Sequence, residues 1–172
     1  MGDIQGTQSG RHGWQVIPRV LSFVLHHDRV LLLRGAPDKR LWAHQYNGLG
    51  GHVERDEDVW TAALREIHEE GGPEVENLRL RAVLHIDPGT DVGVMLFVFL
   101  ADARTTHVHP SEEGTPEWIP LTQLSDIPLV DDVAVILPRA LDADRRGTVA
   151  FGHYTYDAEG DWTITWAETA ER

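Results

Sequence analysis

Three glutamates, Glu66, Glu69 and Glu70, stand at i, i+3 and i+4, with Arg65 directly before the first and Glu57 eight residues before Arg65. On an α-helix, at roughly 100° per residue, that spacing sets the three carboxylates in one row. Like charges so placed weaken an isolated helix by ~0.2–0.5 kcal/mol per pair, so the row needs full solvation or a counterion. A divalent cation would resolve the conflict. The ligands on offer are all oxygens, which suits a hard ion, Mg²⁺ or Mn²⁺, better than Zn²⁺; Mg²⁺ commonly bridges a few carboxylates to the phosphates of a substrate. A solvated acidic face is the competing reading, since charge runs are usually exposed surface. Arg65 is suited to hold the carboxylates by a forked contact, with Glu57 as its partner across the loop.

A helix must carry this row, and residues 51–73, GHVERDEDVWTAALREIHEEGGP, contain its signals. Asp56, Glu57 and Asp58 read as a start, because acidic groups complement the free N–H donors and the positive end of the helix dipole. Gly71-Gly72-Pro73 reads as the stop: glycine supplies a left-handed cap and proline cannot continue the ladder. Between them there is room for about four turns at ~3.6 residues each. Val59, Trp60, Ala63, Leu64 and Ile67 form the expected apolar stripe.

At wider spacing the segment resembles the Nudix box, G-x5-E-x7-R-E-U-x-E-E-x-G-U with U aliphatic, read here as Gly51, Glu57, Arg65, Glu66, Ile67, Glu69, Glu70 and Gly72. Seven fixed positions would match by chance on the order of 10⁻⁸ per start point if each residue type is used at ~7%. The last aliphatic position holds Pro73, a departure that removes no ligand. The resemblance implies hydrolysis of a nucleoside diphosphate linked to another group, with water and a divalent metal, Mg²⁺ or alternatively Mn²⁺. It implies Glu66, Glu69, Glu70 and the Gly51 carbonyl as metal contacts. It also implies an α/β/α sandwich, a mixed sheet between helices, which the order of strands and helices permits.

Size and charge narrow the class. The 172 residues suit one domain, expected over residues 15–172 after a polar, Gly-rich and loose segment over residues 1–14. The formal charge of -13 argues against stable nucleic-acid binding and against an anionic membrane surface. An anionic small-molecule substrate must then be drawn in by metal and local cations. No apolar run is long enough to span a bilayer and no signal-peptide h-region opens the chain, so a cytoplasmic location is expected, with a homodimer as a possible assembly. There is no cysteine, which excludes disulfides and thiolate metal sites. Isopentenyl diphosphate isomerases, which share the Nudix fold but rely on a catalytic cysteine, are set aside on the same ground.

Taken in order, residues 19–26 and 29–34 read as strands flanking a turn at His27-Asp28, with His26 and His27 as turn residues. Arg34, Lys39 and Arg40, around a turn-rich loop, are candidates to meet phosphate. Residues 41–53 read as a strand into the box, and Asn47-Gly48-Leu49-Gly50-Gly51 lets backbone approach a ligand closely. Residues 78–86 and 92–100 read as strands, the second buried on both faces. His107, His109 and Glu113 fall in a polar loop before Trp118. Residues 121–130 read as a loop or helical turn, 131–142 as a second helix with Asp131-Asp132 at its start and Pro138 inside, and 149–166 as a closing hairpin.

Several of these positions carry a finer resemblance. The run YNGLGGHVE is similar to N-G-x-G-G-K-x-E of Nudix enzymes acting on oxidised purine triphosphates, which implies Asn47 as a base contact and puts His52 where lysine is common. The same group has an aspartate pair where Asp131 and Asp132 stand. Glu113, five residues before Trp118, resembles a downstream glutamate that serves as an extra metal ligand or base, leaving the general base open between Glu66 and Glu113. The expected reaction is conversion of an oxidised purine triphosphate such as 8-oxo-dGTP to monophosphate and pyrophosphate. Pro88, sixteen residues beyond Gly72, supports the runner-up, an ADP-ribose or other nucleotide-conjugate pyrophosphatase, and a non-catalytic nucleotide sensor is the remaining alternative.

Overall fold

The computed structural model of this chain describes residues 13–37 and 42–167. The expected N-terminal segment therefore lies, up to residue 12, outside the described residues. Eight strands and two α-helices follow in the order β1 (Gln15–His26), β2 (Arg29–Gly35), β3 (Tyr46–Asn47), α1 (Val59–Glu69), β4 (Val75–Asp87), β5 (Val92–Ala103), β6 (Gly114–Pro120), α2 (Val133–Arg145), β7 (Ala150–Tyr156) and β8 (Trp162–Trp166). A short 3₁₀ turn, Leu121–Asp126, joins β6 to α2. No helix among the described residues is long and apolar enough to cross a membrane.

All strands join one sheet, ordered β3-β2-β1-β5-β4-β7-β8, with β6 paired to β2. β1 runs parallel to β5 and β4 to β7, while the remaining pairs are antiparallel, so the sheet is mixed. Side chains alternate between its faces. Val20 and Val24 of β1 and Phe99 and Ala101 of β5 pack with Ala62, Ala63 and Ile67 of α1. Leu21 and Phe23, with Val98 and Leu100, face the other way and pack with Val133, Ile136, Leu137 and Ala140 of α2. A helix thus covers each face, as the α/β/α reading requires.

Strand β4 changes face partway. Its register against β5 slips between Leu80 and Ala82, so Leu80 packs on the α1 side and Ala82 and Leu84 on the α2 side. The extra residue at this bulge is Arg81. Arg79 and Arg81 both reach α2, where Asp144 Oδ1 accepts from Arg79 Nε at 2.7 Å and from Arg81 Nε at 2.6 Å.

The first hairpin splays, and this creates the site. Residues 29–31 of β2 pair with β1, whereas Leu33 and Arg34 pair with β3. The edge of β1 that β2 leaves is taken by the glycine run. Ser22 N donates to Leu49 O at 2.6 Å, Leu49 N returns to Ser22 O at 3.0 Å, and Val20 N donates to Gly51 O at 3.0 Å. The expected strand over residues 41–53 is therefore corrected to a two-residue β3 followed by separate bridges to β1. Left-handed Trp42 (φ 60°) and His44 (φ 63°) break it at the start. A Cβ at Gly48 would lie 2.8 Å from the side chains of Leu21 and Phe23, and one at Gly50 would strike the Val20 carbonyl, so only glycine lets this run seat on β1.

Three further expectations are corrected. Ala62 is buried on α1, while Trp60 (47% exposed) and Leu64 (39%) are not, so the apolar stripe is narrower than read. The polar stretch before Trp118 ends in β6, which pairs with β2 along its whole length. The second helix starts at Val133 and runs through Pro138 to Arg145; Asp132 precedes it but makes no side-chain capping bond.

Candidate active site

Helix α1 opens as its sequence asks. Asp58 Oδ1 accepts from the N–H groups of Trp60 at 2.8 Å and Thr61 at 3.0 Å, which holds the Asp58 carboxyl below its ordinary range. At the other end Gly71 adopts φ 81° and Gly72 N donates to Ile67 O at 2.8 Å. A Cβ at Gly71 would also strike the His109 carbonyl, so the helix end is tied to the loop before β6.

Arg65 joins the helix to the loop ahead of it. Its Nε donates to Glu57 Oε2 at 3.1 Å and its NH2 to Glu57 Oε1 at 2.6 Å, while NH1 donates to Glu66 Oε1 and Glu69 Oε2, both at 2.9 Å. NH2 also reaches the His52 carbonyl at 3.0 Å. Glu57 is fixed from the other side by the Glu54 amide at 2.9 Å. The Arg65 guanidinium holds the Glu57 carboxyl below the usual range, and these carboxylates push Arg65 still further up. The repulsion expected of the acidic row is thus relieved in part by Arg65 itself.

Glu66 and Glu70 turn toward the glycine run. A Cβ at Gly51 would run into the Glu66 carboxylate, so the absence of a side chain there makes room for that group. Glu70, 6% exposed, accepts from the Gly50 amide through Oε2 at 2.7 Å. Glu69 points outward, with 55% of its side chain accessible. The donors are carboxylate and carbonyl oxygens, which fits a hard divalent ion. Among the described residues they do not form a ready-made cage of three or more side chains, so the fit lies in donor chemistry and in the cradle at Gly50-Gly51.

Beside this cradle lies a cleft of about 790 Å³, a size suited to a nucleotide-sized ligand. Its lining gathers Gly50 and Glu70 with three other residues singled out from the sequence, Asn47, Glu113 and Asp132, and with Pro88. The floor is the sheet face carrying Leu21, Leu96, Val94 and Ile86. Asn47 accepts from the Gly48 amide through Oδ1 at 2.8 Å, which leaves its amide N–H₂ to donate. Burial pushes the Asp132 carboxyl above its ordinary value, against the backbone N–H groups of residues 132 and 133.

Other expected contacts fall elsewhere. Arg34 pairs with Glu117 at 3.1 Å and is not part of the cleft lining. Asp131 is exposed and also outside it. Lys39 and Arg40 lie outside the described residues. Cleft residues that sequence reading missed are Arg19, Trp42, Gln45, Tyr154 and Tyr156. The tyrosines, two apart on β7, stack at 5.2 Å, and Tyr156 OH donates to Tyr154 OH at 3.1 Å. Their period of two within the terminal hairpin was the available signal.

Comparison with known proteins gives matches over most of the chain. The NUDIX domain family matches residues 17–140. The oxidized purine nucleoside triphosphate hydrolase of Mus musculus is 36% identical over 118 residues, 64% of this chain and 69% of that protein. The NAD-capped RNA hydrolase NudC of Vibrio atlanticus is 27% identical over 142 residues, 81% of this chain but only 51% of NudC. Among solved structures, the MutT protein of Bacillus halodurans superposes with a TM-score of 0.72 at 24% identity, covering 87% of this chain and 97% of that one.

Proposed function

Because this chain belongs to the Nudix family of hydrolases, we propose that it cleaves a phosphoanhydride of a purine nucleoside triphosphate with an oxidised base, such as 8-oxo-dGTP, to monophosphate and pyrophosphate. The observation that carries this reading is the junction at Gly50, where the buried Glu70 carboxylate at the end of α1 meets a cleft also lined by Asn47 and Asp132. Phosphate chemistry and base reading then lie within one cavity.

Glu66, Glu69 and Glu70, with the Gly51 carbonyl, would hold Mg²⁺, which lowers the pKa of bound water and neutralises charge developing on the phosphoryl group. The chain's own residues do the rest. Arg65 fixes Glu66 and Glu69 to the loop through Glu57, so these carboxylates need little reorganisation when substrate arrives. Glu66 or Glu113 takes the proton of the attacking water. The N–H₂ of Asn47 donates to a base acceptor. Asp132, its carboxyl pushed above the ordinary value by burial, offers oxygens to the base from the same wall.

A second reading, ADP-ribose or another nucleotide conjugate, draws on Pro88, which lines the same cleft. Incubation with Mg²⁺ and 8-oxo-dGTP, unmodified dNTPs, ADP-ribose and dinucleoside polyphosphates, followed by product identification, separates the two. Fastest turnover of 8-oxo-dGTP to 8-oxo-dGMP and pyrophosphate is expected. Preference for ADP-ribose would replace the first reading with the second.

A further inference from the structure

Among the described residues lining the cleft, Arg19 is the only cation, set against the carboxylates of Glu70, Glu113 and Asp132. Arginines elsewhere in this acidic chain are mostly neutralised nearby: Arg65 by Glu57, Arg79 and Arg81 by Asp144, Arg34 by Glu117. The Arg19 side chain has no such partner among the described residues, yet it is half-buried. Holding a partly desolvated guanidinium without an acceptor is unfavourable, and a bound anion would remove that penalty.

Its place on β1 fixes what it can meet. Arg19 is paired with Leu96 of β5 on one edge and bridged to His52 on the other, one residue from Gly51. The next residue, Val20, donates to the Gly51 carbonyl at 3.0 Å, and Gly50 holds Glu70 at 2.7 Å. Arg19 is therefore level along β1 with the carboxylate end of the cleft. Asn47 is set apart from it, on β3 beyond β2. The floor beside Arg19, Leu21 and Leu96, offers no acceptor.

We infer that Arg19 is a substrate-binding residue that receives a phosphate of the bound nucleotide through a forked guanidinium contact, next to the carboxylates of α1. A planar pair of donors matches two phosphate oxygens, whereas an ammonium makes only a point contact. The inference rests on the reading of this cleft as a nucleotide site and adds the group that offsets its negative lining.

The test compares ligands with and without phosphate. Binding of 8-oxo-deoxyguanosine, 8-oxo-dGMP and α,β-methylene-8-oxo-dGTP is measured by calorimetry on wild type, Arg19→Ala and Arg19→Lys, with adenosine and α,β-methylene-ADP-ribose as a second series and melting temperature as the fold control. In Arg19→Ala, affinity for the methylene analogue wild type prefers should fall about ten- to a hundredfold while the nucleoside is unaffected, with Arg19→Lys between. If Arg19→Ala unfolds, Arg19→Gln carries the same comparison. Unchanged affinity for the analogue, or an equal loss for the nucleoside, overturns the inference while leaving the nucleotide site intact. Wild-type protein that binds no nucleotide of either series removes the underlying reading, and the inference with it.

Discussion

Glu70 Oε2 accepts the Gly50 N–H at 2.7 Å, so the carboxylate that ends α1 is aimed by a backbone group from the run seated on β1. Replacing Glu70 with Gln keeps the shape and removes the charge. With the fold retained, turnover should fall by at least ~10²-fold. Steady-state kinetics beside a thermal melt checks this; a variant with parental turnover on every substrate would refute the role given to Glu70.

Gly51→Ala tests the cradle. The new methyl group must displace the Glu66 carboxylate, and with it the 2.9 Å contact to Arg65. A stability loss of roughly 1–3 kcal/mol is expected from the overpacking, together with weaker Mn²⁺ binding followed by paramagnetic relaxation. Unaltered Mn²⁺ affinity would show that Glu66 does not need this space.

Asp144 gives a pH-dependent prediction far from the cleft. Its contacts to Arg79 and Arg81 hold its carboxyl down to about 2, from an ordinary 3.8. A carboxyl depressed in the folded state stabilises above its unfolded pKa, and that stability is lost as pH falls through the folded value. Asp144→Asn should therefore cost on the order of 2 kcal/mol at pH 7. The gap between variant and wild type should narrow between pH 4 and pH 2, read by urea denaturation across that range. A gap independent of pH would assign the loss to packing instead.

Ser22 is fully buried, and its Oγ has no hydrogen-bond partner among the described residues. Ser22→Ala removes an unsatisfied group while its backbone bonds to Leu49 remain. The melting temperature should hold or rise, with a gain of up to ~1 kcal/mol. A loss of more than ~1 kcal/mol would mean the hydroxyl is satisfied in solution.

Much of α1 was legible because its signals are local: Asp58 caps its own next turn and Gly71 takes the left-handed angle, whatever the rest of the chain does. Its buried face was less so, since Trp60 and Ala62 exchange expected roles according to which strand lies beneath them. Strand β6 hid behind Pro116, Glu117 and Pro120, which suit an edge but weaken any local strand signal. The bulge at Arg81 left no mark in composition, yet it decides which face Ala82 covers. Among the candidate site residues, Asn47, Glu70, Glu113 and Asp132 line one cleft, while Arg34 turns to Glu117. Nothing in linear spacing distinguishes the two outcomes, because β2 contributes Leu33 to the cleft and sends its neighbour away from it.

The splayed hairpin also separates two kinds of inheritance. The carboxylate helix reaches the cavity through the glycine run, whereas the opposite walls come from β5, β4, β7 and the approach to α2. Those walls can drift toward another ligand shape without disturbing the carboxylates proposed to break the bond, so descendants of one such chain can diversify in diet while keeping the same teeth.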